Sequence, residues 1–185
     1  MEEEVLEYIL NNCYKEGDYT LSSGEKSKHY VNCKPLTLSG GGLYACASLI
    51  LDHIDKDTLA VAGLTLGADP LVAAVAMHSY QTWRPLNALI IRKEPKGHGT
   101  QSQVEGPLPK IGANVTVLED VTTTGASALK AVNVCRKLGY NVNRVVTIVD
   151  RQHYEPFFWL DNDLELKSLF TLDDIKSGNQ ARVRS

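Results

Sequence analysis

Short runs of apolar, often β-branched residues recur along this chain of 185 residues, separated by longer stretches that mix apolar and polar positions. Such runs, when glycine, proline or charged residues bound them, are typical of buried strands. They occur at residues 59–62, 86–91, 115–118 and 145–149. We therefore predict that buried strands at these positions form the centre of the fold.

The stretches between these runs carry apolar residues at helical spacing. They predict helices over residues 2–13, 43–54, 69–78 and 127–138. Asp69 and Pro70 suit a helix start, as a capping carboxylate and a proline at the first helical position, and Gly139 suits a helix end. Because strands and helices alternate, we expect an α/β fold in which a parallel sheet is flanked by helices on both faces.

Two segments lie outside this alternation, the extended piece near Tyr30 and the tail after Trp159. We expect both to form a small cap over the sheet edge, with the N-terminal segment as its hood. The apolar run at 156–160 is compatible with the core or with a subunit interface. The chain shows no repeat, low-complexity segment or linker, which predicts a single domain over residues 1–185.

Composition and charge narrow the class of protein. The formal net charge of −3 argues against a nucleic-acid binder, which would carry a basic surplus. The apolar runs are too short for a membrane span, and the acidic start at residues 1–4 is unlike a signal peptide. The cysteines at positions 13, 33, 46 and 135 lack metal-ligand spacing. We therefore expect a cytoplasmic protein with buried, reduced thiols.

The most informative segment, residues 115–127, joins a predicted strand to a predicted helix. Glu119 and Asp120 follow the strand, and the small residues Thr122, Thr124 and Gly125 form the connecting loop. Free N–H groups at a helix start favour phosphate, whereas carboxylates accept hydrogen bonds from a sugar diol. The segment therefore predicts a sugar-phosphate site. An ordinary strand-to-helix turn would explain the loop but not the adjacent acids.

A second segment, residues 92–99, gathers four potential cations among glycines and a proline. Arg92, Lys93, Lys96 and His98 lie on a loop that continues through a polar stretch to residue 107. Long polar loops in compact domains are often functional lids, and this one suits closure over a pyrophosphate leaving group. The alternative is a solvated charged loop with no such role.

These segments resemble those of a known family. Residues 115–127 resemble the ribose-phosphate motif of type I phosphoribosyltransferases, and residues 92–99 resemble the catalytic loop of the orotate phosphoribosyltransferases. Similarity to that family continues at residues 19–27, 63–70 and 150–151. The resemblance implies the type I phosphoribosyltransferase fold. It also implies transfer of the ribose 5-phosphate group of phosphoribosyl pyrophosphate to orotate, giving orotidine 5′-monophosphate and pyrophosphate in pyrimidine biosynthesis.

The resemblance also implies which residues contact the donor, phosphoribosyl pyrophosphate. Its pyrophosphate would meet the catalytic cations Arg92, Lys93, Lys96 and His98. Its ribose hydroxyls would face Glu119 and Asp120. Its 5′-phosphate would be held by the following loop, residues Val121, Thr122, Thr123, Thr124, Gly125, Ala126 and Ser127.

Orotate contacts follow from the same resemblance. Thr123 and Arg151 would hold orotate, and the backbone at Tyr30 and Val31 would flank its ring. A guanidinium matches a carboxylate in a bidentate way, so Arg151 is chemically suited to the role. Arg151 could instead pair with Asp150 or with Glu155.

Magnesium and a second subunit complete what the resemblance implies. Mg²⁺ would arrive with the pyrophosphate, which it binds in preference to a protein cage, so no protein ligand set is expected. The loop that carries Lys96 and His98 would reach the active site of the neighbouring subunit, which implies a homodimer. One departure stands at Ser22, where many members have a lysine that helps to bind the substrates.

Two other functions are compatible with the donor motif. The first is a phosphoribosyltransferase for another base, against which residues 92–99 and Arg151 favour orotate. The second is a non-catalytic regulator that senses the donor and binds nucleic acid. Such a regulator should carry a basic surface or a DNA-binding domain, and this sequence shows neither.

Overall fold

The structure, a computed structural model, describes residues 1–20, 24, 26–82, 84–94 and 103–183, with the backbone alone at 181–183. Its strands are β1 (Tyr14–Thr20), β2 (Lys26–Val31), β3 (Thr58–Leu64), β4 (Asn87–Ile91), β5 (Val104–Glu105), β6 (Asn114–Thr122), β7 (Arg144–Asp150) and β8 (Glu165–Thr171). Its helices are α1 (Glu2–Asn12), α2 (Lys34–Thr37), α3 (Gly40–Leu51), α4 (Asp69–Gln81), α5 (Ala126–Lys137), α6 (Phe158–Asp161) and α7 (Leu172–Val183).

The main sheet of the described residues has the strand order β5-β4-β3-β6-β7-β8. Strand β5 is antiparallel to β4, and all other neighbours in the sheet pair in parallel. The prediction of a parallel α/β sheet is confirmed, and each predicted strand lies within it. Strand β6 is longer than predicted, because it continues to Thr122 and includes both acids in its last residues.

Helices cover both faces of this sheet, as side-chain alternation along the strands requires. On β3, Val61 belongs to a core cluster shared with α1, α3 and α4. Its neighbours Ala60 and Ala62 belong to a second cluster, which α5 covers with residues such as Val132. The buried β6 contributes to both clusters, so the strand that carries the acids is fixed from both sides.

The N-terminal hood is a separate two-stranded antiparallel sheet, in which Tyr14 of β1 pairs with Val31 of β2. The prediction of a hood from this segment is confirmed. The prediction that the tail after Trp159 also caps the sheet is wrong, because β8 joins the main sheet in parallel with β7. Its polar residues hid the strand from the sequence pattern, yet Phe170 is buried in the core.

Two further details of the helices differ from prediction or refine it. Ala68 is the N-cap of α4, so Asp69 does not cap the helix. Its Oδ2 instead accepts a hydrogen bond of 2.7 Å from Thr65 Oγ1 in the preceding turn. Helix α3 begins three residues earlier than predicted, where Ser39 Oγ caps it by accepting from the Gly42 N–H at 3.2 Å.

The cysteines at 13, 33, 46 and 135 are buried, and their thiols are free. In the part of the chain that the structure describes, every helix is too short or too polar to cross a bilayer.

Arg144, at the start of β7, joins three separate parts of the fold. Its Nη1 donates to the His53 carbonyl at 3.0 Å and pairs with Asp55, both after α3. Its Nη2 donates to Glu165 Oε2 at 2.6 Å, at the start of β8. Lys167 contacts the same Glu165 carboxylate, at 2.6 Å, but makes only that ion pair among the described residues.

We predict that Arg144→Met lowers the free energy of unfolding by about 2–3 kcal/mol, since it removes charged hydrogen bonds to both carboxylates and to a carbonyl. Lys167→Met should cost less than about 1 kcal/mol, because an exposed pair gains little. Urea-induced unfolding monitored by circular dichroism measures both values. Equal losses for the two variants would contradict the bridging role of Arg144.

Candidate active site

A cavity of about 490 Å³ opens at the carboxyl ends of β6 and β7, beneath the hood strand β2. This is where ligands bind in open parallel sheets. The residues that line it come from the hood and the start of α2, from β6, from the turn that follows β6 and the start of α5, and from the end of β7. They are Thr20, Tyr30, Val31, Asn32, Lys34, Glu119, Asp120, Val121, Thr122, Thr123, Thr124, Gly125, Ala126, Ser127, Ala128 and Arg151.

The two acids at the end of β6 are almost wholly buried, with 7% of Glu119 and 9% of Asp120 exposed. Oε2 of Glu119 is buried and has no hydrogen-bond partner among the described residues. Burial raises the pKa of Glu119, the adjacent Asp120 carboxylate adds to the rise, and the pKa reaches about 8. The charge of Lys34 opposes this rise in pKa. A ligand that brings a hydroxyl donor would therefore satisfy Glu119 Oε2, which the described residues leave without a donor.

Gly67 makes room for the acid pair. It belongs to the glycine-containing segment 63–70, which begins in the last residues of β3, the neighbour of β6 in the sheet. A Cβ atom at Gly67 would lie 2.4 Å from Asp120 Oδ1, so any larger residue would displace that carboxylate. The segment thus borders the acids from the side opposite β7.

Residues 122–127, the threonine turn, connect β6 to α5. Gly125 is the N-cap of α5 and has a left-handed conformation with φ +78°, which favours glycine. Helix α5 then runs for 12 residues. The N-terminus of α5 lies at the cavity. Its free N–H groups and the positive end of the helix dipole favour an anion there. The threonine hydroxyls are further donors.

Arg151 lies directly after β7, opposite the threonine turn. Its backbone N–H donates to the Thr122 carbonyl at 2.9 Å. Its Nη2 donates to Ser27 Oγ at 3.0 Å and to the His29 carbonyl at 3.1 Å, both on hood strand β2. The guanidinium is thus positioned between the main sheet and the hood. Asp150 accepts hydrogen bonds from the Gln152 N–H and from Tyr154 Oη.

The structure brings together most of the predicted site residues. Those from Glu119 to Ser127, with Tyr30, Val31 and Arg151, all line the one cavity. Sequence reasoning missed Lys34, which follows β2 at the start of α2 and whose charge acts on Glu119. A cation two residues after a predicted extended piece was the signal that could have revealed it.

Arg92 and Lys93 are not among the residues that line the cavity. Arg92 pairs with Glu105 at 3.6 Å, and its backbone N–H donates to the Gln103 carbonyl at 2.8 Å. These contacts, with the pairing of β5 to β4, close the base of the loop. Lys96 and His98 lie outside the described residues, and so does Ser22.

The polar stretch after residue 99 differs from prediction at its end. Val104 is 7% exposed and, in strand β5, pairs antiparallel with Ile91, whereas we predicted that the polar loop continues to residue 107. Val104 is buried because β5 pairs with β4, a contact that the local sequence does not suggest.

Proteins of known name are similar in sequence to most of this chain. No family model matches it. An orotate phosphoribosyltransferase of Thermosynechococcus vestitus is 50% identical over 177 residues, which cover 96% of this chain and 94% of the relative. Another, of a Nostoc species, is 48% identical over 177 residues, covering 96% of this chain and 86% of the relative.

Solved structures agree with these relatives. The orotate phosphoribosyltransferase of Mycobacterium tuberculosis in complex with Fe(III) dicitrate has a TM-score of 0.80 at 34% identity, covering 94% of this chain and 98% of that one. The enzyme of Aeropyrum pernix has a TM-score of 0.77 at 32% identity, covering 96% and 97%. The M. tuberculosis enzyme with 5-phospho-α-D-ribosyl 1-diphosphate has a TM-score of 0.75 at 30% identity, covering 95% and 98%.

We predict that Glu119 makes stability fall as the pH rises. Its folded pKa of about 8 exceeds the ordinary value of 4.5, so between these values the folded state holds a proton that the unfolded chain has released. Stability therefore declines by at most about 1.4 kcal/mol per pH unit in this window, and Glu119→Gln should remove that decline.

Urea unfolding of both proteins at pH 5.5 and pH 8.5 tests this. Glu165→Gln is the matched control, because Lys167 and Arg144 lower the pKa of Glu165 below 4.5 and both states are ionised throughout the window. A wild-type protein whose pH dependence matches that of Glu119→Gln would contradict the prediction.

Proposed function

The chain belongs to the orotate phosphoribosyltransferase family, and from this premise we propose a role for each group in its pocket. The reaction is the transfer of the ribose 5-phosphate group of phosphoribosyl pyrophosphate to orotate, which releases pyrophosphate. One observation carries the assignment of roles. A buried acid pair, an anion-binding threonine turn and a cationic Arg151 line the same cavity, as a sugar phosphate and an anionic base would require. Residues 1–185 act as one domain in the cytoplasm.

The donor's ribose 5-phosphate lies between the acids and the threonine turn. Glu119 and Asp120 accept hydrogen bonds from the ribose hydroxyls. Residues 121–127 hold the 5′-phosphate through N–H groups and hydroxyls. The M. tuberculosis relative solved with 5-phospho-α-D-ribosyl 1-diphosphate supports this choice of ligand.

Orotate lies between β2 and the end of β7. Arg151 pairs with its carboxylate, Thr123 contacts its ring, and the backbone at Tyr30 and Val31 flanks it. Because orotate is already an anion, it needs little activation as a nucleophile. The protein's main tasks are therefore to align orotate with C1 of the ribose and to exclude water.

The cations of the 92–99 loop contact the pyrophosphate group of the donor. Arg92, Lys93, Lys96 and His98 offset the charge that develops as pyrophosphate leaves. One such donor is worth about 3–4 kcal/mol in a transition state. The contacts of Arg92 with Glu105 and Gln103 hold the two ends of this loop together. We propose that the loop is a lid that carries Lys96 and His98 into the site of the partner subunit of a homodimer.

Magnesium fits this site as an ion that the substrate brings. Among the described residues no group of three His, Cys, Asp or Glu side chains gathers as a ligand set. The acids that face the cavity are Glu119 and Asp120, and they face the ribose. Mg²⁺ would be held by pyrophosphate oxygens and water, because it keeps several waters and binds mainly through substrate phosphates, and there it would neutralise charge on the leaving group.

We predict that Arg151→Ala weakens orotate binding about 10- to 100-fold, since it removes charged hydrogen bonds to the carboxylate. Binding of uracil, which lacks that carboxylate, should be unchanged, and donor binding should be preserved. Calorimetry with orotate, uracil and donor measures all three. Arg151→Lys should recover only part of the loss, because an ammonium cannot bind in the bidentate way. Equal weakening of orotate and uracil would contradict the role.

A subunit-mixing experiment tests the shared site. At an orotate concentration below the wild-type KM, Lys96→Ala and Arg151→Ala should each be nearly inactive alone. If the lid serves the partner, a mixed dimer has one site with both defects and one intact site. Equal mixing should then restore roughly a quarter of wild-type turnover, measured by the loss of orotate absorbance. No recovery after verified subunit exchange would show that the lid acts within its own subunit.

A further inference from the structure

The connection between β7 and β8 carries a cluster of aromatic rings that the proposed roles do not use. Tyr154, Phe158 and Trp159 form this cluster, which we call the aromatic buttress. The rings of Phe158 and Trp159 meet edge-to-face with centroids 5.0 Å apart, and those of Tyr154 and Trp159 do so at 5.5 Å. Such pairs are favourable beyond the area they bury.

Phe158 lies directly against the threonine turn. A Cβ atom built on Gly125 would be 2.4 Å from Phe158 Cε1 and 2.9 Å from its Cζ, so the ring fills the space beside the Gly125 backbone. Gly125 is the left-handed residue that turns the chain from β6 into α5. The ring therefore contacts the residue on which the direction of the first α5 N–H groups depends.

The backbone of Phe158 is fixed by neighbours on both sides. Its N–H donates to the Glu155 carbonyl at 3.0 Å, and its carbonyl accepts from Asn162 Nδ2 at 2.7 Å. The Asn162 carbonyl in turn accepts from Arg136 Nη1 at 3.0 Å, and Arg136 is in the last turn of α5. The same short segment is thus attached to both ends of α5.

The buttress also reaches the Arg151 side of the cavity. Tyr154 Oη donates to Asp150 Oδ2 at 2.9 Å, and Asp150 Oδ1 accepts from the Gln152 N–H at 2.8 Å. Asp150 is the last residue of β7 and precedes Arg151. One rigid cluster therefore supports both the turn and the strand end that face each other across the cavity.

We propose that Phe158 is a positioning residue for the donor's 5′-phosphate. It holds Gly125, and with it the donors of the threonine turn, in the geometry that receives the phosphate. Phe158 does not touch the substrate. This inference rests on the proposed role of the threonine turn in phosphate binding. Small residues let the phosphate approach the backbone but give the turn little packing of its own, and the ring supplies that packing from outside.

The test compares Phe158→Ala with Phe157→Ala, the same truncation one residue away. Phe157 is 72% exposed. We expect Phe158→Ala to raise KM for phosphoribosyl pyrophosphate by roughly tenfold to a hundredfold, as misplaced binding groups do. KM for orotate should change less than threefold, and Phe157→Ala should change neither. Calorimetry with the donor alone should show the same loss of affinity.

Phe158→Leu is the second variant, in case Phe158→Ala does not fold, because leucine keeps an apolar side chain beside Gly125. It should recover most of the donor affinity lost in Phe158→Ala. An unchanged donor KM in both Phe158 variants would overturn the inference, and so would an equal rise in both KM values, which indicates general loosening. If wild-type protein catalyses the reaction but Gly125→Ala leaves donor affinity unchanged, the phosphate role of the turn fails instead.

Discussion

Two neighbouring carboxyl groups, those of Glu119 and Asp120, lie buried at the end of a central strand, and the rest of the site is arranged around this unfavourable pair. Burial disfavours the charged form of Glu119 and the neighbouring Asp120 carboxylate disfavours it further, so the raised pKa of Glu119 expresses the cost of the pair. Gly67 gives the Asp120 carboxylate its space, and Lys34 adds an opposing charge. In the proposed role, a substrate with paired hydroxyls relieves the pair further, because it can donate to Glu119 Oε2, which has no hydrogen-bond partner among the described residues.

The order of strands decides what can surround this pair. Strand β6 lies between β3 and β7, so the carboxyl ends of all three meet at one edge of the sheet. On one side β3 delivers the segment with Gly67, and on the other β7 delivers Arg151. A strand at the sheet edge would have had only one such neighbour. Burial on both faces and pairing on both sides also make β6 rigid, which suits a site that must hold reacting groups in line.

Much of this arrangement could be predicted from the sequence, because its signals are local. Residues 115–127 combine a strand pattern, two acids and a small-residue turn within one continuous segment. Other parts depend on contacts between distant residues, and their local signals are weak or absent. The two residues of β5 are too few to show a period, and β8 carries polar residues because it lies at the edge of the sheet. Lys34 lines the cavity from the start of α2, and only its place after an extended piece hints at this in the sequence.

Phe158 shows the same limit most clearly, since its apolar run was compatible with either a core or an interface. Its partner is Gly125, more than thirty residues away in the sequence. Because glycine has no side chain, no pattern of hydrophobic residues reveals its contact with an aromatic ring. A turn that binds a phosphate through its backbone N–H groups must leave that backbone exposed, so its residues must be small. It therefore contributes little packing to its own rigidity, and the stiffness has to come from another element. A tight contact at glycine meets this need, because the ring can approach the backbone where no side chain intervenes.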